Sequence, residues 1–160
     1  MLDSARTVGV VGIREPADGD EAEIELTVIE LFEAPRDEIR FAGAHGAAAF
    51  GIGVAATDPR AHRIVAVVPR TVGDEPDEAR AIIARYQPEV IELELPPDDP
   101  NREREFARRF LKGVDGLLAF ADGVAGRTER IIAMAEEIGL PIYVEALIGR
   151  NGRPAIDGGG

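Results

Sequence analysis

A chain of 160 residues, 45% of them hydrophobic and none of them cysteine, suits one α/β domain that buries its core without disulfides or thiolate metal sites. Eighteen basic against 30 acidic residues give a net charge of -12, which opposes broad electrostatic attraction to duplex DNA or to an anionic membrane. Two well-separated histidines leave little for a zinc cage, no apolar run approaches the ~20 residues of a membrane span, and Met1-Leu2-Asp3-Ser4 lacks the character of a secretory signal, so a cytoplasmic protein is expected.

Val8 to Ile13 is short, apolar and β-branched, as a strand covered on both faces of a parallel sheet requires. Asp18 to Ala34 carries Ile24, Val28, Leu31 and Phe32 at helical spacing, with carboxylates near its start and Pro35 beyond its end, and predicts the first helix. Its middle, Glu23 to Val28, also alternates as a strand would. Glu38 to Ala42 predicts a second strand leading into Gly43-Ala44-His45-Gly46, and the alanine-rich run Ala47 to Ala56 predicts the second helix. Gly51 and Gly53 within it cost about 1 kcal/mol each relative to alanine, a sign of close backbone packing or of an irregular helix.

Ile64 to Val68 is the clearest buried strand, and Asp77 to Tyr86 predicts a helix with Ala79, Ile82, Ile83 and Tyr86 inward. Val90 to Leu95 alternates after its first two residues, as an edge strand does, and Pro96-Pro97-Asp98-Asp99-Pro100 stops it. A helix follows from Asn101 to Lys112 with Phe106, Phe110 and Leu111 as its apolar face. Leu117 to Ala121 predicts strand five, Arg127 to Ile138 the last helix with Ile131, Ile132, Met134, Ala135 and Ile138 inward, and Ile142 to Leu147 strand six. Residues 149 to 160 have no periodicity and read as a flexible tail after a single domain over 1 to 148.

Regular alternation of strand and helix predicts a three-layer α/β architecture, an open and mostly parallel sheet of about six strands with right-handed crossovers and the order 4-3-2-1-5-6. The turns after strands one and five then flank the switch point where such sheets hold ligands. Val11-Gly12-Ile13-Arg14, Gly43-Ala44-His45-Gly46, Val67-Val68-Pro69 and the run Asp115 to Gly123 with Gly126-Arg127-Thr128 occur in that order at strand ends. Together, over Thr7 to Val144, they resemble the Rossmann-like SLOG superfamily, which includes DNA-processing and LONELY GUY proteins. The resemblance implies a nucleotide or nucleotide-derived ligand held by the loops after strands one, two and five.

Departures from that pattern bear on chemistry. The phosphoribohydrolase branch places Gly-Thr and then a carboxylate three residues beyond the threonine, close to the sugar. Here Arg127 precedes Thr128 and the later position is Ile131, so the expected carboxylate is missing, and Glu129 lies about 200° from Ile131 around the helix. Ala42 and Ala48 also stand where the family has a glycine and, often, an aspartate.

Each candidate ligand contact has a structural alternative. Gly12 permits close approach of a phosphate or satisfies a tight turn. Arg14 offers a charge-assisted fork to phosphate or engages the acidic Glu15 to Asp18 segment. Gly43, Ala44, His45 and Gly46 present backbone N–H groups at a helix start or form an ordinary glycine turn, and His45 is also a candidate acid or base. Asp122 binds a ribose hydroxyl or ends its strand in an Asx turn, while Gly123, Gly126 and Thr128 contact an anion or serve the turn and cap. Arg127 adds a charge for the ligand or meets an acidic surface. Arg70 is a further strand-end cation. Asp98 and Asp99 recruit magnesium with a phosphate ligand or form a solvated loop.

These candidates fit a nucleotide-binding or sensing domain. A nucleotide-processing hydrolase or transferase acting at an N-glycosidic or phosphate bond through Glu15, Asp122 or Glu129 is a second reading, and an oligomeric scaffold with a decayed pocket a third. The expected partners are a small-molecule nucleotide-type ligand and copies of the chain in a homodimer or higher homo-oligomer, with no duplex DNA and no membrane.

Overall fold

The computed structural model describes residues 1–149. Strands β1 (Thr7–Gly12), β2 (Glu38–Ala42), β3 (Arg63–Val68), β4 (Glu89–Glu92), β5 (Gly116–Ala121) and β6 (Ile142–Ala146) form one all-parallel sheet in the order β4-β3-β2-β1-β5-β6. This is the topology that the alternating pattern predicts. Helices α1 (Asp20–Leu31), α2 (Ala47–Ala56), α3 (Asp77–Tyr86), α4 (Arg102–Leu111) and α5 (Arg127–Glu137) link the strands, with a short 3-10 turn at Val72–Asp74. None of the helices in the described residues is long and apolar enough to cross a membrane.

Strand periodicity divides the core between two faces. Val8, Val10, Leu118 and Phe120 meet Ile24, Val28 and Leu31 of α1, Ile52 of α2 and Ala79 of α3. Val11, Val65, Val67, Leu117 and Ala119 meet Phe106 and Phe110 of α4 and Ile131 and Ala135 of α5 on the other. Every side chain of β5 is buried, as expected for an almost wholly apolar strand between β1 and β6 under both helical layers.

The alternating middle of α1 is helical, because the stripe Ile24, Thr27, Val28, Leu31 is buried while Leu26 remains 58% exposed. Ile138 departs from its inward reading. It caps α5 just past the last turn and is 58% exposed. The shorter β4 and β6 end before Leu95 and Leu147, whose side chains are nonetheless buried. Gly149 is anchored by its N–H to the Asp20 carboxylate at 2.9 Å, and the rest of the predicted tail lies outside the described residues.

Gly51 resolves in favour of close packing. A Cβ there would sit 2.6 Å from Cε1 of the fully buried Phe41, so the helix backbone rests on an aromatic edge that has no room to retreat. Gly51→Ala is expected to cost about 1–2 kcal/mol, overpacking outweighing the gain in helix propensity, and to lower the urea midpoint with m unchanged. An unchanged or higher midpoint would show that Phe41 yields.

Candidate functional site

The loops after β1, β2, β3 and β5 and the first turns of α4 and α5 gather at the C-terminal edge of the sheet, where β1 sends its chain one way and β5 the other. Gly46 holds the first two loops together. It adopts φ 63, ψ -127, and a Cβ on it would lie 2.4 Å from the carbonyl oxygens of both Ile13 and Arg14. Ala47 donates its N–H to the Ile13 carbonyl at 2.9 Å, and a Cβ on Gly12 would meet the Ala47 Cβ at 2.6 Å. Both glycines are therefore required by packing at this junction, whatever the site binds.

Two backbone donors of the second loop are engaged within the protein. Gly43 donates to the Val67 carbonyl at 2.8 Å and Gly46 to Glu78 Oε1 at 3.3 Å. Ala44 is buried, and His45 places Nε2 3.0 Å from Glu78 Oε2. Glu78, in the first turn of α3, thus sets a carboxylate at the start of α2, where helix-end amides favour an anion.

The fifth-strand loop shows a similar internal economy. Asp122 accepts the Val124 N–H at 2.9 Å, an Asx turn, and Gly123 follows at φ 81. Gly126 is the N-cap of α5 in extended backbone, so Thr128 lies inside the first turn, buried, and α5 has no side-chain cap bond. Arg127 points neither to open solvent nor to an unpaired position. Its guanidinium grips Glu103 with Nε–Oε2 3.0 Å and Nη2–Oε1 2.9 Å, and stacks 4.5 Å from the Phe106 ring centroid. That fork holds the Glu103 carboxyl below the usual carboxylate range.

Arg70 pairs with Asp74 at 3.2 Å, and Asp99 accepts the Asn101 N–H at 2.8 Å at the start of α4. His62 is exposed at the opposite end of β3. Ile131, at the position of the family's carboxylate, is fully buried in the core.

Three residues absent from the sequence reading complete the site. Glu75, half-buried in the β3–α3 connection, lies within electrostatic reach of Arg127, Arg14, His45 and Arg102. Burial pushes its carboxyl above the ordinary range against the pull of all four. The connection is fixed by β4 and its extension, with Val72 N–H on Glu92 Oε2 at 2.7 Å and Glu94 N–H on the Arg70 carbonyl at 3.1 Å. Glu78 is the second. Arg102, the first residue of α4, is the third, and its Nε is buried with no hydrogen-bond partner. Glu75 and Glu78 flank Pro76 at the start of α3, where carboxylates are expected for the helix dipole alone. The one available signal was their place directly after a strand end already marked as a ligand loop.

Comparison with solved structures finds DNA processing protein A from Helicobacter pylori at a TM-score of 0.69 and 14% identity, over 98% of this chain and 73% of that one. At that identity the likeness shows the Rossmann-like fold. That protein is described for its single-stranded DNA binding mode. No family model matches the chain, and no curated protein sequence matches it. That description runs against the expected partners, a small nucleotide-type ligand with duplex DNA excluded, since the neighbour binds nucleic acid. Net charge alone does not decide such a partner, because contacts are settled within about a Debye length, ~8 Å at physiological salt, where Arg14, Arg102 and Arg127 count for more than distant helix faces.

Two variants probe this architecture. Gly46→Ala places a methyl against two carbonyl oxygens at a left-handed φ and is expected to cost about 2–4 kcal/mol in denaturant unfolding, with a wild-type midpoint refuting the junction. A carboxyl whose pKa is higher folded than unfolded binds more protons when folded. Its stabilising contribution is therefore full below the unfolded value of about 4.3 and is lost as pH rises through the folded value. Glu75→Gln is accordingly expected to be more stable than wild type at about pH 7. The advantage should shrink towards about pH 4, and a variant less stable at neutral pH would mean that the four cations outweigh burial.

Proposed function

We propose that this domain binds a nucleotide unit, free or within a single strand, by its phosphate at the C-terminal edge of the sheet. The observation that carries this reading is the convergence of Arg14, His45, Arg102 and Arg127 from four separate segments of an acidic chain, with the Arg102 Nε buried and unpartnered. A buried guanidinium N–H without an acceptor is costly, and a phosphate oxygen is a strong acceptor for it. The position at a switch point and the likeness to a single-stranded DNA-binding protein support the same assignment. Glycine loops supply the close approach of chain segments, whereas side-chain cations supply the charge.

Thermal unfolding against nucleoside phosphates, sugar phosphates and short single-stranded oligonucleotides, with and without magnesium, tests this. A ligand at 100 times its Kd adds about 2.7 kcal/mol, a readily visible rise in Tm. The rise is expected to fall away in Arg14→Ala and Arg102→Ala and to weaken in Thr128→Ala. Absence of any rise across the whole set would overturn the proposal.

A further inference from the structure

The cations at this edge do not form a bare positive patch. Arg127 is held by Glu103, His45 by Glu78, and Glu75 stands among Arg14, His45, Arg102 and Arg127. Three guanidinium groups and the imidazole thus share this edge with three carboxylates among the described residues, and Arg130 stands beside Glu103 as a further basic group. Two of the carboxylates, Glu75 and Glu78, lie on one segment and face the same donors that a phosphate would use. Of the amides at this turn, those of Gly43, Ala47 and Gly46 are taken by the Val67 and Ile13 carbonyls and by Glu78.

A phosphate group entering this cluster meets carboxylates as well as cations. A terminal phosphomonoester carries close to two negative charges above its second pKa of about 6. An internal phosphodiester carries one and still has two unbridged oxygens, against three on the monoester, for Arg102 and Arg14 to bind. The second charge of the monoester adds repulsion from Glu75 and Glu78, which stand among the donors it would use. We infer, on the basis of the phosphate-binding reading above, that Glu75 and Glu78 make this a site for phosphodiester-linked nucleotides, selecting them against terminal phosphomonoesters.

Calorimetric titration at about pH 8, where the monoester is a dianion, reads this directly. The probes are a dinucleoside monophosphate, a short single-stranded oligonucleotide without terminal phosphates, and a nucleoside 5′-monophosphate. Wild type is expected to bind one of the diester probes at least about tenfold more tightly than the monophosphate, an effect of the size one uncompensated charge produces. Binding of the dinucleotide as tight as that of the longer strand identifies a free dinucleotide as a sufficient ligand, and binding of the longer strand alone identifies a single strand. Glu75→Gln is expected to raise monophosphate affinity about tenfold and diester affinity far less. Glu78→Gln, on the exposed first turn of α3, provides a second variant and is expected to act in the same direction.

A monophosphate that binds wild type as tightly as the diesters, or carboxamide variants that change both classes alike, would overturn the inference while leaving phosphate binding intact. Failure of every probe to bind wild type and both variants would sink the phosphate-binding reading and this inference with it.

Discussion

The contact of Gly46 with the carbonyls of Ile13 and Arg14 governs what the ligand edge is able to offer. β1 and β2 leave the sheet side by side, and their loops are joined where α2 begins. That join consumes the Ala47 N–H and leaves no space for a side chain at Gly12 or Gly46. A glycine-rich turn at a helix start ordinarily presents its amides to an anion. Here the turn locks two loops, and on the proposed reading anion recognition falls to guanidinium groups anchored on neighbouring elements. Arg14 projects from the locked loop itself, so its position follows from the same contact.

The neighbouring elements bring those groups in with their counter-charges attached. Arg127 comes from α5 and Glu103 from α4, and their bidentate pair, stacked on Phe106, joins the first turns of both helices. Such a fork is part of the scaffold as much as of the site, since breaking it leaves a partly buried charge without its partner. Glu75 differs, because burial disfavours its charge despite four cations nearby. The loop that carries it is tied to β4 through Glu92 and Glu94, which holds the carboxylate in place without compensating it by a hydrogen-bonded fork. Rigid support and incomplete compensation are the conditions under which a residue acts on a ligand more than on the fold.

Sheet order, helix positions and the location of the edge were legible in the sequence because they follow from local signals: β-branched runs such as Ile64 to Val68, a helical stripe such as Ile24, Val28, Leu31, and glycine at strand ends. The ambiguous stretch Glu23 to Val28 was decided by burial of a helical stripe against the sheet, a tertiary effect. Gly12 and Gly46 were legible as turn or ligand positions, though the segments they pack against were not, since those depend on which parts of the chain become neighbours. Glu75, Glu78 and Arg102 were illegible for the same reason. As sequence they are helix-start residues of ordinary kind, and only the fold brings the start of α3 against the start of α2 and the start of α4 against that of α5.

The same distinction limits what global charge says about partners. A net charge of -12 sets the long-range field and discourages loose, sequence-independent attachment along a polyanion. It does not set the field inside a cleft a few ångströms across, where individual guanidinium and carboxylate groups dominate and salt screening acts over a comparable length. A cluster of mixed charge within an acidic surface has a further consequence. Approach of a polyanion is unassisted by steering, so association is slow relative to a basic protein and binding depends on short-range contacts whose geometry must be satisfied. On the proposed reading, selectivity for the charge state of one phosphate would fall to Glu75 and Glu78, and the surrounding acidity would suppress the non-specific binding that otherwise masks it.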